Sequence, residues 1–382
     1  MTSRILVGDA ASWRSNRTSV KWGLYPPDVL PLWVAEMDAA PCEPIVEAVS
    51  AAMRRGDTGY PLGHAFVEAA VGYAAQTWSW TIAPSRVTPV TDVMVGLSEL
   101  VRLVTAPGGP VIVSSPVYNA FFDFIDMAGR RVVDAPLDED LRLDPEVLDR
   151  TFGEVTAGGE PAAYLLCNPQ NPTGTVHSTA ELATLAEIAN RHGVVVIADE
   201  IHAPIVHEGV FTPYLSVPGG ERGVSLLSAS KAWNLAGLKA ALVVTGADAR
   251  DDLSLHEVHT HGASHLGQIA AVAAWTDGRE WLAQVTAEID DNRALLGRLL
   301  AERLPDIGYA APAATYLAWL DCRALGWGDD PAAVLRERGR VALSPGLSFG
   351  DTGRGFVRFN LATSPAIVTE AVERMVGSLR ES

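Results

Sequence analysis

The feature of this 382-residue sequence that most constrains its fold is an alternation of short apolar runs with helical patterns between about residues 86 and 246. Several runs are rich in β-branched side chains, and helical spacing of apolar residues recurs between them. Such alternation is typical of a mostly parallel sheet that is covered by helices on both faces. The runs are VIVSS (111–115), AAYLLC (162–167), VVVIAD (194–199), VSLLSA (224–229) and ALVVTG (241–246).

One helix between these runs is marked at both ends. Ser178 and Glu181 have the spacing of a capping box, in which two side chains bond backbone N–H groups at a helix N-terminus. Apolar residues then recur on one face, basic residues suit the negative C-terminal end, and Gly193 can close the helix. The pattern therefore predicts a helix over 178–192.

The C-terminal third of the chain has a different pattern, which indicates a second domain. Helical patterns dominate from about residue 263, and two strand-like segments, ATYLAWL (314–320) and FVRFNLA (356–362), interrupt them. We therefore expect a large domain over 46–270, and a smaller α+β domain formed by 1–45 together with 271–382.

Charge and hydropathy exclude several classes of partner. The 29 basic and 46 acidic side chains give a net charge of −17, which disfavours nucleic acid and anionic membranes. No apolar stretch approaches the roughly 18 residues that cross a bilayer, and the first residues lack the apolar core of a signal peptide. A cytoplasmic location is expected.

Neither the cysteines nor the histidines have the spacing of metal ligands. The three cysteines lie far apart, so we expect reduced, buried thiols. One stretch is rich in histidine but has no accompanying Cys, Asp or Glu at ligand spacing, so no metal is expected. The residues are Cys42, Cys167 and Cys322, with His256, His259, His261 and His265.

The most informative stretch is LLSASKAWNLAGLK (226–239), where an apolar run leads into Ser228, Ser230 and Lys231. A lysine at a strand end can be desolvated, which lowers its pKa and makes its amine a usable nucleophile. The neighbouring hydroxyls can bond a phosphate. Taken alone the motif is short, and a solvated surface lysine is the simpler explanation.

Two further strand ends carry polar residues that strengthen the functional interpretation. Asp199 ends its run at the edge where open α/β sheets bind ligands, and a carboxylate there needs a cationic partner. A protonated pyridine nitrogen is such a partner, although a helix cap or a structural ion pair would also satisfy the carboxylate. Asn171 follows another run, in CNPQNPTG (167–174), and its amide can donate to a phenolate oxygen. The three motifs in this order are much more specific than any one of them.

In these motifs the sequence resembles the fold type I enzymes that use pyridoxal 5′-phosphate (PLP), the aspartate aminotransferase superfamily. More narrowly, it is similar to the branch of cystathionine β-lyases and C–S lyases that includes the MalY and PatB proteins. The resemblance covers nearly the whole chain, and it implies an α/β fold with a large domain of mostly parallel seven-stranded sheet between helices, a smaller α+β domain, and PLP as cofactor. The matching segments are TSVKWG (18–23), DVLPLWVAEMD (28–38), GYPLGH (59–64), SSPVYNAFF (114–122), CNPQNPTG (167–174), DEIH (199–202), SASKAWNLAGL (228–238) and GFVRFNLA (355–362).

The resemblance implies a role around the cofactor for each matching residue. Lys231 matches the lysine that holds PLP as a Schiff base, Asp199 the partner of the pyridine nitrogen, and Asn171 the donor to the ring oxygen. Tyr118 matches an aromatic side chain that stacks on the ring. His202 matches a histidine that packs behind the residues in contact with the cofactor. The phosphate would be bound by the backbone of Val93 and Met94 at the start of a helix, with Ser228, Ser230 and Lys239.

The resemblance also supplies substrate and subunit contacts. Arg358 matches an arginine that binds the substrate carboxylate through a bidentate fork, and Trp33 is a second candidate for substrate binding. Tyr60 matches a tyrosine that reaches towards the neighbouring subunit's active site, which implies a homodimer with shared sites. Tyr60 would then be catalytic together with Lys231 and Tyr118. Core or interface packing of the two tyrosines, and a structural ion pair of Arg358, remain alternatives.

Three positions depart from the pattern of the family. Glu36 stands where Asp is frequent, and Pro204 stands where an acidic residue is usual. Lys239 stands where aminotransferases have Arg, so it keeps a positive charge for a phosphate but loses the planar fork. The first two changes affect the side of the site where the substrate binds.

The reaction that the resemblance implies is an α,β-elimination. Cystathionine or a related cysteine thioether would give pyruvate, ammonia and a thiol. One alternative is an aminotransferase, which would use the same residues to move the amino group to a 2-oxo acid. Another is a regulatory binding protein that retains the fold. The residues alone favour no particular thioether or amino acid.

Overall fold

The computed structural model describes residues 4–249, 253, 255–256, 258 and 261–379, and within them no helix is long and apolar enough to span a membrane. The strands are β1 Leu30–Pro31, β2 Val87–Val90, β3 Pro110–Val113, β4 Arg131–Asp134, β5 Ala163–Cys167, β6 Val195–Asp199, β7 Val224–Leu227, β8 Ala241–Thr245, β9 Gly308–Tyr309, β10 Leu317–Asp321, β11 Val341–Ala342, β12 Ser344–Pro345 and β13 Phe356–Asn360. The α-helices are α1 Ala10–Asn16, α2 Val20–Gly23, α3 Glu43–Arg54, α4 His64–Trp78, α5 Val93–Val104, α6 Ala120–Met127, α7 Pro145–Thr156, α8 Thr179–His192, α9 His265–Asp277, α10 Arg279–Arg303, α11 Pro331–Arg338 and α12 Pro365–Gly377.

The large sheet has seven strands within the described residues, in the order β2-β8-β7-β6-β5-β3-β4. β8 runs antiparallel to both of its neighbours, and the other four pairings are parallel. Val111 and Val113 of β3 pack in one cluster with α5 and α6, whereas Ile112 packs in another with α7 and α8. Because successive side chains of a strand point to opposite faces, helices cover both faces of the sheet. The predicted mostly parallel seven-stranded α/β sheet is confirmed.

Helix α8 forms as predicted. Ser178 accepts a hydrogen bond from the Glu181 N–H, and the Glu181 side chain returns to the Ser178 N–H, which completes the capping box. Gly193 closes the helix in the left-handed region, with φ of 69°. Local sequence signals thus fix both ends of this helix.

The five predicted runs form strands, but the two edge strands β2 and β4 were not predicted. Neither has a long apolar run, since β2 contains Pro89 and β4 begins and ends with the charged Arg131 and Asp134. Edge strands commonly carry such residues because one side has no strand partner. The segment predicted as a strand over 314–320 also enters its sheet later, at Leu317.

Three neighbouring parallel strands end on the same edge of the sheet. Cys167 at the end of β5 pairs with Asp199 at the end of β6, and Asp199 pairs with Leu226 of β7. The segments that follow β5 and β7 carry Asn171 and Lys231. The sheet therefore brings the three predicted cofactor residues to its carboxyl edge, where open α/β sheets bind ligands.

A smaller antiparallel sheet, β12-β13-β10-β9, contains Arg358 at the middle of β13. The N-terminal segment lies against this part of the chain, because β1 pairs with β11 and the Asp38 N–H donates to the Ala362 carbonyl at 2.8 Å. The proposed division into 46–270 and 1–45 with 271–382 is consistent with this contact and stays a prediction.

Candidate active site

Asp199 is a buried carboxylate at the end of β6. It is 3% exposed, and its Oδ1 accepts a hydrogen bond from the Ile201 N–H at 3.1 Å. Burial raises the pKa of Asp199 to about 6, while that hydrogen bond and the positive charge of Lys231 lower it. A buried carboxylate of this kind favours a cation as partner.

Lys231 is half-buried in the turn that follows β7, and its Nζ donates to the Ala35 carbonyl at 3.0 Å. Burial, followed by the positive charge of Arg358, lowers the pKa of Lys231 to about 8, and the negative charges of Asp199 and Glu36 oppose that change. A lower pKa increases the fraction of neutral amine, which is the form that attacks a carbonyl carbon.

Arg358 and Asn171 contact each other directly. Arg358 Nη1 donates to Asn171 Oδ1 at 3.0 Å, so the amide nitrogen of Asn171 remains available as a donor towards the site. Arg358 Nη2 donates to the Trp33 carbonyl at 3.0 Å and to Ser344 Oγ at 3.2 Å, and its buried Nε has no acceptor. Among the described residues, no carboxylate pairs with this guanidinium, which leaves it free to bind an anionic ligand.

Aromatic side chains and a histidine surround these polar groups. Tyr118 is half-buried, and burial raises the pKa of its hydroxyl to about 12. His202 is buried, its Nδ1 has no hydrogen-bond partner, and its ring lies edge-on to Tyr316 with centroids 5.7 Å apart. Burial lowers the pKa of His202 well below its usual value, so the ring is neutral.

Two of the residues predicted to bind a phosphate, Val93 and Met94, lie at the N-terminus of α5. Val93 and Met94 form its first turn, whose N–H groups have no acceptor within the helix. Ser228 accepts from the Ser230 N–H at 3.1 Å and donates to the Ala240 carbonyl at 2.7 Å. The binding of a phosphate by these residues stays a prediction.

Lys239 reaches the same helix terminus, but it is already paired there. Its Nζ donates to Asp92 Oδ2 at 2.8 Å, and Asp92 Oδ1 accepts from the Val95 N–H at 2.8 Å as the cap of α5. Asp92 was not among the predicted residues. A helix cap of this kind is signalled by an Asp just before a helical pattern, so the sequence did contain a sign of it.

The two remaining residues that were predicted for the site are Tyr60 and Trp33. Tyr60 is 95% exposed on the loop before α4. Trp33 contributes its backbone carbonyl, which accepts from Arg358 and from the Ser344 hydroxyl. Its indole Nε1 is buried without an acceptor. The roles of both residues stay predictions.

Some backbone carbonyls and packing residues of the site are not predicted by the sequence. The Ala35 carbonyl accepts from Lys231 and from the Tyr316 hydroxyl, at 3.0 and 3.1 Å. The Arg358 guanidinium lies over the Phe349 ring, with its Cζ 4.8 Å from the ring centroid. Side-chain patterns carry no signal for a carbonyl contact or for packing between distant segments.

Within the described part of the chain, no group of three His, Cys, Asp or Glu side chains could hold a metal ion. His265 instead pairs with Asp57 at 3.0 Å, and His259 lies outside the described residues. The three cysteines are free and buried.

Comparison with known proteins identifies the family. Residues 27–375 match the family "Aminotransferase class I and II". This chain belongs to that family. The family prediction made from the sequence motifs is therefore confirmed.

Similar proteins extend over almost the whole chain. A Mycobacterium tuberculosis protein named "Putative cystathionine beta-lyase" is 49% identical over 391 residues, which cover 96% of each chain. "Cystathionine beta-lyase PatB" of Bacillus subtilis is 32% identical and covers 97% of this chain and 99% of its own. The crystal structure of a "putative plp-dependent beta-cystathionase" from Corynebacterium diphtheriae superposes with a TM-score of 0.91 at 32% identity, over 98% of this chain and 99% of that chain. The predicted fold type is confirmed by this likeness.

Proposed function

We propose that this protein is a PLP-dependent C–S β-lyase, which cleaves cystathionine or a related cysteine thioether to pyruvate, ammonia and a thiol. The observation that supports the proposal is a set of contacts beside the carboxyl edge of the sheet. Arg358 donates a hydrogen bond to Asn171, and the charge of Lys231 acts on the buried carboxylate of Asp199. The relatives named cystathionine β-lyase at 32% to 49% identity support the choice of reaction.

The donor and acceptor groups of the site fit PLP. Lys231 supplies an amine of lowered pKa for the aldehyde, and Asp199 supplies a buried carboxylate for the pyridine nitrogen. The free amide N–H groups of Asn171 fit a phenolate oxygen, and the flat ring of Tyr118 fits the ring face. The phosphate would be bound at the start of α5 by the N–H groups of Val93 and Met94, with the side chains of Ser228, Ser230 and Lys239.

PLP, when bound, supplies an electron sink that stabilises a carbanion at Cα of the amino acid. Arg358 binds the α-carboxylate of the substrate and so fixes the position of Cα. Lys231, as the neutral amine, would take the Cα proton, and the ionised carboxylate of Asp199 would keep the pyridine nitrogen protonated. The lysine would then donate that proton to the departing sulfur, assisted by Tyr60 of the partner subunit, and water would hydrolyse the released aminoacrylate to pyruvate and ammonia.

Exposed apolar side chains support the proposal of a homodimer. Met53 on α3, and Tyr60 and Leu62 on the loop that follows, are 54%, 95% and 80% exposed. Neighbouring apolar side chains with this exposure favour burial against a second protein surface. We propose that a second copy of this chain provides it. The cytoplasmic location stays a prediction.

The experiment uses purified holoenzyme and L-cystathionine without any added 2-oxo acid. The proposal predicts equal amounts of pyruvate and thiol over many turnovers. A requirement for 2-oxoglutarate or pyruvate as amino acceptor would contradict it and favour the aminotransferase alternative. Cysteine and other cysteine thioethers, assayed in the same way, would rank the substrates.

A further inference from the structure

Glu36 is a half-buried carboxylate that the proposed reaction does not use. Its Oε1 accepts a hydrogen bond from Ser19 Oγ at 2.5 Å. Among the described residues, no Lys, Arg or His side chain forms an ion pair with it. A partly desolvated carboxylate without a cation retains most of its capacity to attract one.

The backbone of Glu36 is held firmly. Its carbonyl accepts from Asn360 Nδ2 at 2.7 Å and from Lys21 Nζ at 3.0 Å. Lys21 is in turn paired with Asp38 at 2.8 Å, and both side chains of that pair are buried. The position from which the Glu36 side chain extends is therefore fixed, which is what a specific binding contact requires.

The segment that carries Glu36 forms one wall of the candidate active site. The preceding carbonyl, of Ala35, accepts from Lys231 Nζ at 3.0 Å, and the carbonyl of Trp33 accepts from Arg358 at 3.0 Å. Glu36 directly follows Ala35 in the chain, so its side chain starts one residue from the carbonyl that contacts the reactive amine.

We propose that Glu36 determines the substrate class by binding a positively charged group at the far end of the thioether side chain. This inference rests on the proposed lyase function. Arg358 would bind the α-carboxylate and Lys231 would face Cα, so the remainder of a long substrate can extend along residues 33–36. A thioether with a distal ammonium, such as cystathionine, would gain a charge-assisted hydrogen bond that an S-alkyl cysteine lacks.

The test compares two substrates of equal size and shape. S-(2-aminoethyl)-L-cysteine carries a distal ammonium, and S-propyl-L-cysteine carries a methyl group in its place. In Glu36→Gln we expect the ratio of kcat/KM for the aminoethyl substrate to kcat/KM for the propyl substrate to fall about tenfold, as the loss of one charged hydrogen bond implies. The ratio is the readout because the lost charge also acts on Lys231, and that effect is shared by both substrates. Glu373→Gln removes an exposed carboxylate from α12 and is the matched control, for which neither value changes.

A binding measurement keeps the inference separate from the reaction. L-ornithine and L-norleucine form a second pair of equal size, and their binding is read from the visible absorption of the holoenzyme. We expect Glu36→Gln to weaken ornithine about tenfold and norleucine not at all. Equal effects on both ligands, or an effect on neither, would overturn the inference. Wild-type protein that yields pyruvate from no thioether would overturn the lyase proposal instead, while the binding result still stands.

Discussion

Replacement of Arg358 by Lys tests how the site binds the substrate carboxylate. A guanidinium has five N–H groups, and in Arg358 three hydrogen bonds to Asn171, Trp33 and Ser344 occupy three of them. One N–H group of Nη1 and the buried Nε–H therefore remain without an acceptor. Burial lowers the pKa of Arg358 to about 10, which still leaves it charged at neutral pH.

Arg358→Lys keeps the positive charge but loses the planar fork. An ammonium at this position can replace one contact to a substrate carboxylate but not two. A hydrogen bond to a charged group contributes roughly 1.5–3 kcal/mol, so kcat/KM for the thioether should fall about 10-fold to 150-fold. Most of the loss should appear in KM, because the carboxylate is bound before and during the reaction.

Steady-state assays of pyruvate formation measure kcat and KM for wild type, Arg358→Lys and Ser344→Ala. The last variant is the control, because it removes one acceptor of the guanidinium and leaves its charge and fork in place. We expect a smaller loss for Ser344→Ala and the same visible spectrum for all three proteins. A normal KM in Arg358→Lys, or a loss confined to cofactor affinity, would refute the assigned role.

Three further predictions follow from buried or exposed groups. Burial raises the pKa of Asp199 from 3.8 to about 6, so the folded state holds more protons than the unfolded chain between about pH 4 and 6, and the free energy of unfolding decreases as the pH rises through that window. In cofactor-free Asp199→Asn, the free energy of unfolding measured by urea titration should fall across this pH window by roughly 3 kcal/mol less than in the wild type. The same fall in both proteins would count against the burial argument. Lys21→Met leaves Asp38 buried without its cation and should lower the free energy of unfolding by about 3–5 kcal/mol; a loss below about 1 kcal/mol in urea titration would show that the pair is dispensable. Tyr60, which is exposed in the single chain, should be needed for turnover, so Tyr60→Ala should be inactive. Mixing it with Lys231→Ala should restore part of the activity if sites are shared, and no recovery after subunit exchange would argue against sharing.

The core of the fold and the chemistry at the sheet edge could be predicted because each has a local signature. Central parallel strands are buried on both faces, so runs such as 194–199 stand out as apolar. The edge strands β2 and β4 lack that signature, because Pro89, Arg131 and Asp134 are tolerated where one side of a strand is unpaired.

Contacts made by the backbone or by distant packing could not be predicted. The carbonyls of Trp33 and Ala35 bind Arg358 and Lys231, and any residue type can provide a carbonyl at those positions. Tyr316, just before β10, contacts Ala35 and His202, which lie far from it along the chain. Such contacts depend on how the segments pack, which a local pattern does not encode.

The most direct test of the central claim locates the cofactor on the chain. Borohydride reduction of the holoenzyme, followed by proteolysis and mass spectrometry, should place the PLP-derived mass on the peptide that contains Lys231. Lys231→Ala should lack both the visible absorption of lysine-bound PLP and the lyase activity. Labelling of a different lysine, or undiminished turnover in Lys231→Ala, would contradict the account.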